Sequence, residues 1–181
     1  MSIMKTRDRL LALDSSAKDW SEGVPEFPSE DVMLMRLIRV ASLGITGFID
    51  PILRPTGLTE SSYHTLIVVL ASGKTGSTPS ALCEQVGQTR ANMTRILSLL
   101  ESEKLIGAEQ DARDARRRRI VATPAGRKLV RSCAAKCQPV LKAAFGGLNP
   151  EDKQVLERVL RALIEKFDNA ERMAGTEIQK C

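Results

Sequence analysis

The sequence predicts a mainly α fold carrying one small β-hairpin, and three observations lead there. From Arg90 onward, Met93, Ile96, Leu97 and Leu100 recur at i, i+3, i+4 and i+7, the apolar stripe of a helix. Leu105–Gln110 and Arg119–Thr123 are short strand candidates on either side of an arginine-rich polar loop. Broad apolar faces at helical spacing stand near both ends of the chain. At 181 residues, 43% hydrophobic and 27% charged, the chain is long enough to bury a sizeable core as one domain or one intertwined subunit.

Residues 1–27 are weakly patterned. Met4–Leu13 predicts a short helix, and Asp14-Ser-Ser-Ala17 and Glu22-Gly-Val-Pro25 read as turns. Pro28-Ser29 opens a long helix to about Asp50, with Ser29 as cap and Glu30 and Asp31 at its positive end. Met33, Leu34, Leu37, Ile38, Ala41 and Ile45 give it a broad apolar face, and Gly44 and Gly47 allow another helix to approach. Pro51 and Pro55 predict a bend into a loop. Thr59 caps the next helix, through Ala71, and Ser72–Ser77 is a turn. Gly73-Lys-Thr75 looks like the end of a phosphate loop, but it lacks the earlier glycine and the apolar strand that such a loop needs, so ATP binding is not expected.

Thr78 is a cap and Pro79 suits a first helical position. Ser80–Val86 makes about two turns, which Gly87 can stop in the left-handed conformation. Thr89 caps a second helix, Arg90 to about Lys104. After the hairpin, Gly126 to about Phe145 is helical. Asn149-Pro-Glu-Asp152 starts the last helix, where Val155, Leu156, Val159, Leu160, Leu163, Ile164 and Phe167 form a stripe wide enough to meet more than one neighbour.

Charge and face chemistry point to a partner. Ala91, Thr94, Arg95 and Ser98 share the face opposite the apolar stripe, flanked by Arg90 and Asn92, and no acid intervenes before Glu101. Such a face is short, polar and cationic, as a helix in the DNA major groove requires. From Asp111 to Arg131 there are eight Lys or Arg against two Asp, a net +6, while the whole chain carries +5. The excess positive charge therefore lies in one hairpin and the helix after it, the footprint of a nucleic-acid binder. Aromatics are 3% of residues, which leaves little for stacking on unpaired bases and favours duplex DNA over RNA.

The segments Gly57-Leu-Thr-Glu60, Pro79-Ser-Ala-Leu82, Thr89–Arg95, Leu100-Glu101, Asp111-Ala-Arg-Asp-Ala-Arg116 and Thr123-Pro-Ala-Gly126 resemble the MarR family of winged helix-turn-helix regulators, over roughly residues 20–170. Ala115 departs from the pattern, which often has a second basic residue there, and Arg116–Arg119 are the candidates to replace it. The resemblance implies an N-terminal extension (1–27), a winged helix-turn-helix DNA-binding domain (57–126) and dimerisation helices (28–56 and 127–175). It implies a homodimer on a pseudo-palindromic operator, controlling an efflux or detoxification operon and released by a small aromatic or phenolic effector. Ser80, Thr89, Arg90, Ala91, Asn92, Thr94 and Arg95 are then the helix contacts. Arg113, Asp114, Arg116 and Arg117 are the wing contacts, with Asp114 orienting a wing arginine. Arg36, Tyr63 and His64 are the candidates for the effector pocket.

Other classes find less support. Four cysteines without a CxxC pair and a lone histidine make no metal set, and neither a catalytic constellation nor a dinucleotide fingerprint is present, so no cofactor and no enzymatic activity are expected. Cys133 and Cys137, at i and i+4, leave a thiol redox switch as the alternative. No uninterrupted apolar run approaches the ~18 residues of a membrane helix, and the N-terminus lacks an apolar signal core, so a cytoplasmic protein is expected.

Overall fold

The apolar stripe after Arg90 closes against a small sheet in the computed structural model, which describes residues 5–26, 29–110 and 118–178. The order is α1 (Thr6–Gly23), α2 (Ser29–Leu53), α3 (Glu60–Ala71), α4 (Pro79–Val86), α5 (Arg90–Ser102), β1 (Ile106–Gln110), β2 (Arg118–Ala122), α6 (Pro124–Phe145) and α7 (Pro150–Ile178). Single 3₁₀ turns, Arg54–Thr56 and Gly73–Thr75, follow α2 and α3. By packing, residues 1–137 form one compact unit and 138–181 another.

In the first unit α3, α4 and α5 pack on one another, α3 and α4 also on β2 and α5 on β1, burying Leu53, Leu66, Leu82, Met93, Leu100 and Ile120 to 1% exposure or less. Met93, Ile96, Leu97 and Leu100, the stripe read from spacing, are all buried. β1 and β2 pair antiparallel from Ile106↔Ala122 to Gln110↔Arg118. Thr59 and Ser62 close a capping box at the start of α3.

Three sequence expectations are corrected. Asp14–Ala17 is helical, not a turn, and α1 runs unbroken to Gly23. The Ser15 and Ser16 hydroxyls donate to the carbonyls of Ala12 (3.0 Å) and Leu13 (3.1 Å), so their competition with the helix backbone is resolved locally. Leu13 is buried, and Arg36 Nη2 donates to Ser16 Oγ at 2.8 Å, so packing on α2 overrides the turn propensity. Pro51 does not bend the chain out of the helix but lies inside the last turn of α2. Burial of Leu53 against the core, with Ile49 and Ile52 partly buried beside it, holds that turn, and Gly57 at φ 73° ends the 3₁₀ turn beyond it. Ser77 is more than the end of a turn: it exchanges both backbone hydrogen bonds with Ile120 (3.0 and 2.8 Å) and forms a single antiparallel bridge on the edge of β2 away from β1.

Backbone geometry fixes where the hairpin sits relative to α5. Lys104 is the one non-glycine with positive φ (56°) among the described residues. The Leu105 N–H reaches Leu100 O and the Lys104 N–H reaches Glu101 O, both at 2.9 Å, with Leu100 and Leu105 both buried. This is a Schellman stop in which lysine occupies the glycine position. Lys104→Gly is therefore expected to stabilise the protein by about 0.5–1 kcal/mol, relief of left-handed strain outweighing the added freedom of the unfolded chain. Urea unfolding at fixed protein concentration checks it, and a loss of stability would contradict it.

At the other end of the hairpin, Thr123 Oγ1 donates to Lys104 O (2.7 Å) and accepts the Gly126 N–H (3.1 Å). A Cβ on Gly126 would stand 2.1 Å from Leu105 O. The Thr-x-x-Gly spacing thus lets the first turn of α6 lie directly on the α5–β1 junction.

Candidate nucleic-acid interface

The helix-turn-helix is built from two caps and one glycine. The Thr78 hydroxyl accepts the Ala81 N–H (3.3 Å) with Pro79 at the first helical position, and Gly87 at φ 67° ends α4. The Gln88 N–H returns to Cys83 O at 3.0 Å, and the Thr89 hydroxyl accepts the Asn92 N–H at 3.3 Å to begin α5. Each device matches the residue type the sequence supplies there.

On α5, Thr89, Arg90, Ala91, Thr94, Arg95 and Ser98 are exposed. Ser80 is exposed on α4, its hydroxyl 3.2 Å from that of Thr78. A shallow groove between the two helices is lined by Ser80, Cys83, Arg90 and Thr94 over Met93 and Leu97. Asn92 is half-buried and its amide is hydrogen-bonded to Gln88, while the Thr94 hydroxyl donates back to Arg90 O at 2.9 Å. Asn92 is thus occupied in holding the turn, and Arg90 and Arg95 are the two long donors on the outer face.

The wing residues Arg113, Asp114, Arg116 and Arg117 lie outside the described residues. The next two arginines have work at the base of the hairpin. Arg118 pairs with Glu101 of α5, and Arg119 Nη1 donates to Thr75 O at 2.6 Å. Sequence reasoning treated both as possible replacements for the missing base at Ala115. Only the pairing of Ser77 with β2, invisible in a linear reading, shows that Arg119 is brought to the turn before α4.

The three effector candidates have different surroundings: Arg36 lines the hollows between α1 and α2, and neither Tyr63 nor His64 lines them. Tyr63 is buried and its hydroxyl points at Val130 O of α6, 3.5 Å away. Burial, with the Cys133 and Cys137 thiols nearby, pushes its pKa up to about 12. His64 is its neighbour in sequence but is exposed. Arg36 belongs to the α1–α2 pair, bonded to Ser16. Cys133 is buried, and that burial pushes its thiol upward, opposite to what a reactive thiolate needs.

The sequence profile of the MarR family matches residues 56–117, from the end of α2 through the helix-turn-helix and into the wing. Over that segment the chain is similar to the MarR family. Over 147 residues it is 24% identical to the transcriptional repressor MprA of Escherichia coli K12, covering 81% of this chain and 84% of that one. The Staphylococcus aureus MepR–DNA complex superposes with a TM-score of 0.67 at 24% identity, over 74% of this chain and 95% of MepR. Rhodococcus jostii CouR bound to p-coumaroyl-CoA gives 0.64 at 22% identity, over 72% and 90%. These likenesses bear out the mainly α winged helix-turn-helix fold. In the terms of that fold α4 and α5 are the helix-turn-helix and β1–β2 the wing.

Proposed function

We propose that this protein is a homodimeric repressor of the MarR type that binds a pseudo-palindromic duplex operator and is released by a small aromatic or phenolic compound. The observation that carries the reading is the outer face of α5: exposed, acid-free and cationic, held rigidly by a capped turn. Arg90, Ala91, Thr94 and Arg95 face base edges and phosphates in the major groove, with Ser80 and Thr89 on the flanking backbone and Asn92 bracing the turn. Arg113, Asp114, Arg116 and Arg117 place the wing along the minor groove.

Dimerisation is supported by apolar surface. Met35, Leu43 and Ile45 of α2 are each more than 40% exposed, and so are Val155, Val159, Ile164 and Phe167 of α7. A second copy covers such faces and sets two α5 helices ~34 Å apart, one turn of duplex. By length and hydropathy, Glu30–Thr56 is also long and apolar enough to cross a membrane, because Arg36 and Arg39 are the only charges in residues 32–49. The helix is tied into the fold instead, Arg36 to Ser16 and Thr46 Oγ1 to Glu60 (2.9 Å), which favours a protein partner and a cytoplasmic location over a bilayer.

MprA is named as a repressor, and CouR was solved with an aromatic acyl thioester. An efflux or detoxification operon is the target in keeping with these likenesses. The effector acts only through a difference in affinity between the DNA-ready and splayed states. Calorimetry is expected to show that a phenolic acid effector weakens DNA binding and that operator DNA weakens the effector by the same factor. Equal affinity for free and DNA-bound protein would rule such compounds out. Release by peroxide alone, prevented by Cys133→Ser with Cys137→Ser, would favour the thiol switch.

A further inference from the structure

α1 and α2 pack side by side and leave a groove along one edge. Three arginines converge on one end of it. Arg9, Arg36 and Arg39 line that end together with Ala12, Leu13 and Val40. Among the described residues none of the three has a carboxylate within ion-pair distance. Arg36 gives one donor to Ser16, and its guanidinium has further donors to offer. Arg9 and Arg36 are half-buried and Arg39 is exposed, so the charges are partly withdrawn from water while remaining reachable.

Arg36 also lines a second hollow, between Ala17, Trp20 and Ser21 of α1 and Val32, Met33 and Leu34 of α2, so the two meet at its side chain and together make one groove. Lys18 and Glu30 also line this second half. Glu30 is the one acid among the lining residues, and it stands at the far end from Arg9 and Arg39. The groove is therefore polar in a directional sense: cationic at one end, apolar along its length, with an acid beyond.

We propose that this groove binds an amphipathic carboxylate. The carboxylate lies among Arg9, Arg36 and Arg39, which can grip it through paired N–H donors, and the apolar body runs toward Trp20. Glu30 fixes the orientation by repelling the anionic end. Unlike the sequence-based effector candidates, the site uses neither Tyr63 nor His64, and it is formed in part by α1, which the family profile does not reach. That its occupant also controls DNA binding rests on the regulatory reading above; the site itself does not.

Trp20 is the chain's single tryptophan and is 41% exposed, so its fluorescence reports on this groove. The full-length protein is titrated, without DNA, with 4-phenylbutyrate and with its neutral amide. The acid is expected to change the emission saturably, and Arg39→Gln to raise its dissociation constant about tenfold, as loss of a charge-assisted bond implies. The amide is expected to bind about tenfold more weakly than the acid. Arg36→Gln is a second variant, read beside Arg39→Gln because it also breaks the bond to Ser16. Equal binding of acid and amide, or unchanged affinity in Arg39→Gln, overturns the proposal. So does a change of oligomeric state in the arginine variants with acid binding intact, since the cluster would then be a contact between copies. Failure to bind DNA would sink the regulatory reading and leave this result standing.

Discussion

Leu100→Ala is expected to lower unfolding stability by about 2–5 kcal/mol, the range for removing a fully buried leucine where the surroundings cannot collapse. Leu100 is 0% exposed and sits where three elements meet: the end of α5, the Schellman stop through Lys104, and the start of the wing through Leu105. Its loss leaves a cavity and also loosens the turn that aims the hairpin. Ser98, two residues earlier on the exposed face, is the control, and Ser98→Ala should stay within about 0.5 kcal/mol of wild type. Chemical unfolding of both variants at one protein concentration checks this. Similar losses for the two would mean that α5 does not pack on the core as described.

Arg95→Ala is expected to weaken operator binding by roughly 1–3 kcal/mol while changing affinity for random duplex much less. Arg95 is exposed on α5, and the outer face carries no acid to neutralise it before Glu101. Titrations on operator and on scrambled duplex at the same salt concentration separate two roles, because phosphate contacts weaken both equally. Equal losses would assign Arg95 to the backbone, and no loss would take this face of α5 off the DNA.

The elements that the sequence revealed most fully are those held by local chemistry. Thr59, Thr78, Thr89 and Asn149 each predicted a helix start, and each caps one, Asn149 Oδ1 accepting the Asp152 N–H at 2.7 Å. Gly87 and the α5 stripe were legible for the same reason, since helix stops and periodic faces depend on neighbours in sequence. What escaped depends on contacts distant in sequence. Asp14–Ala17 carries turn residues, and only packing on α2 makes it helical. Ser77 pairs with Ile120, 43 residues away by their numbering, and no pattern around Ser77 announces it.

The site divides along the same line. The exposed face of α5 followed from periodicity, so Arg90, Ala91, Thr94 and Arg95 stand where expected. Tyr63 and His64 were joined by adjacency alone, and one residue step around the helix, about 100°, separates buried from exposed: Tyr63 faces Val130 and His64 faces solvent. The arginine cluster went unread because Arg9 meets Arg36 and Arg39 only once α1 lies along α2.

The central claim is that two copies of α5 read adjacent major-groove turns of duplex DNA. The most direct measurement selects bound sequences from a random duplex pool and counts chains per bound duplex. An inverted repeat with half-site centres ~10 base pairs apart, occupied by two chains, is the predicted result. A pool that stays random through repeated rounds, or single-stranded DNA retained as well as duplex, would contradict it.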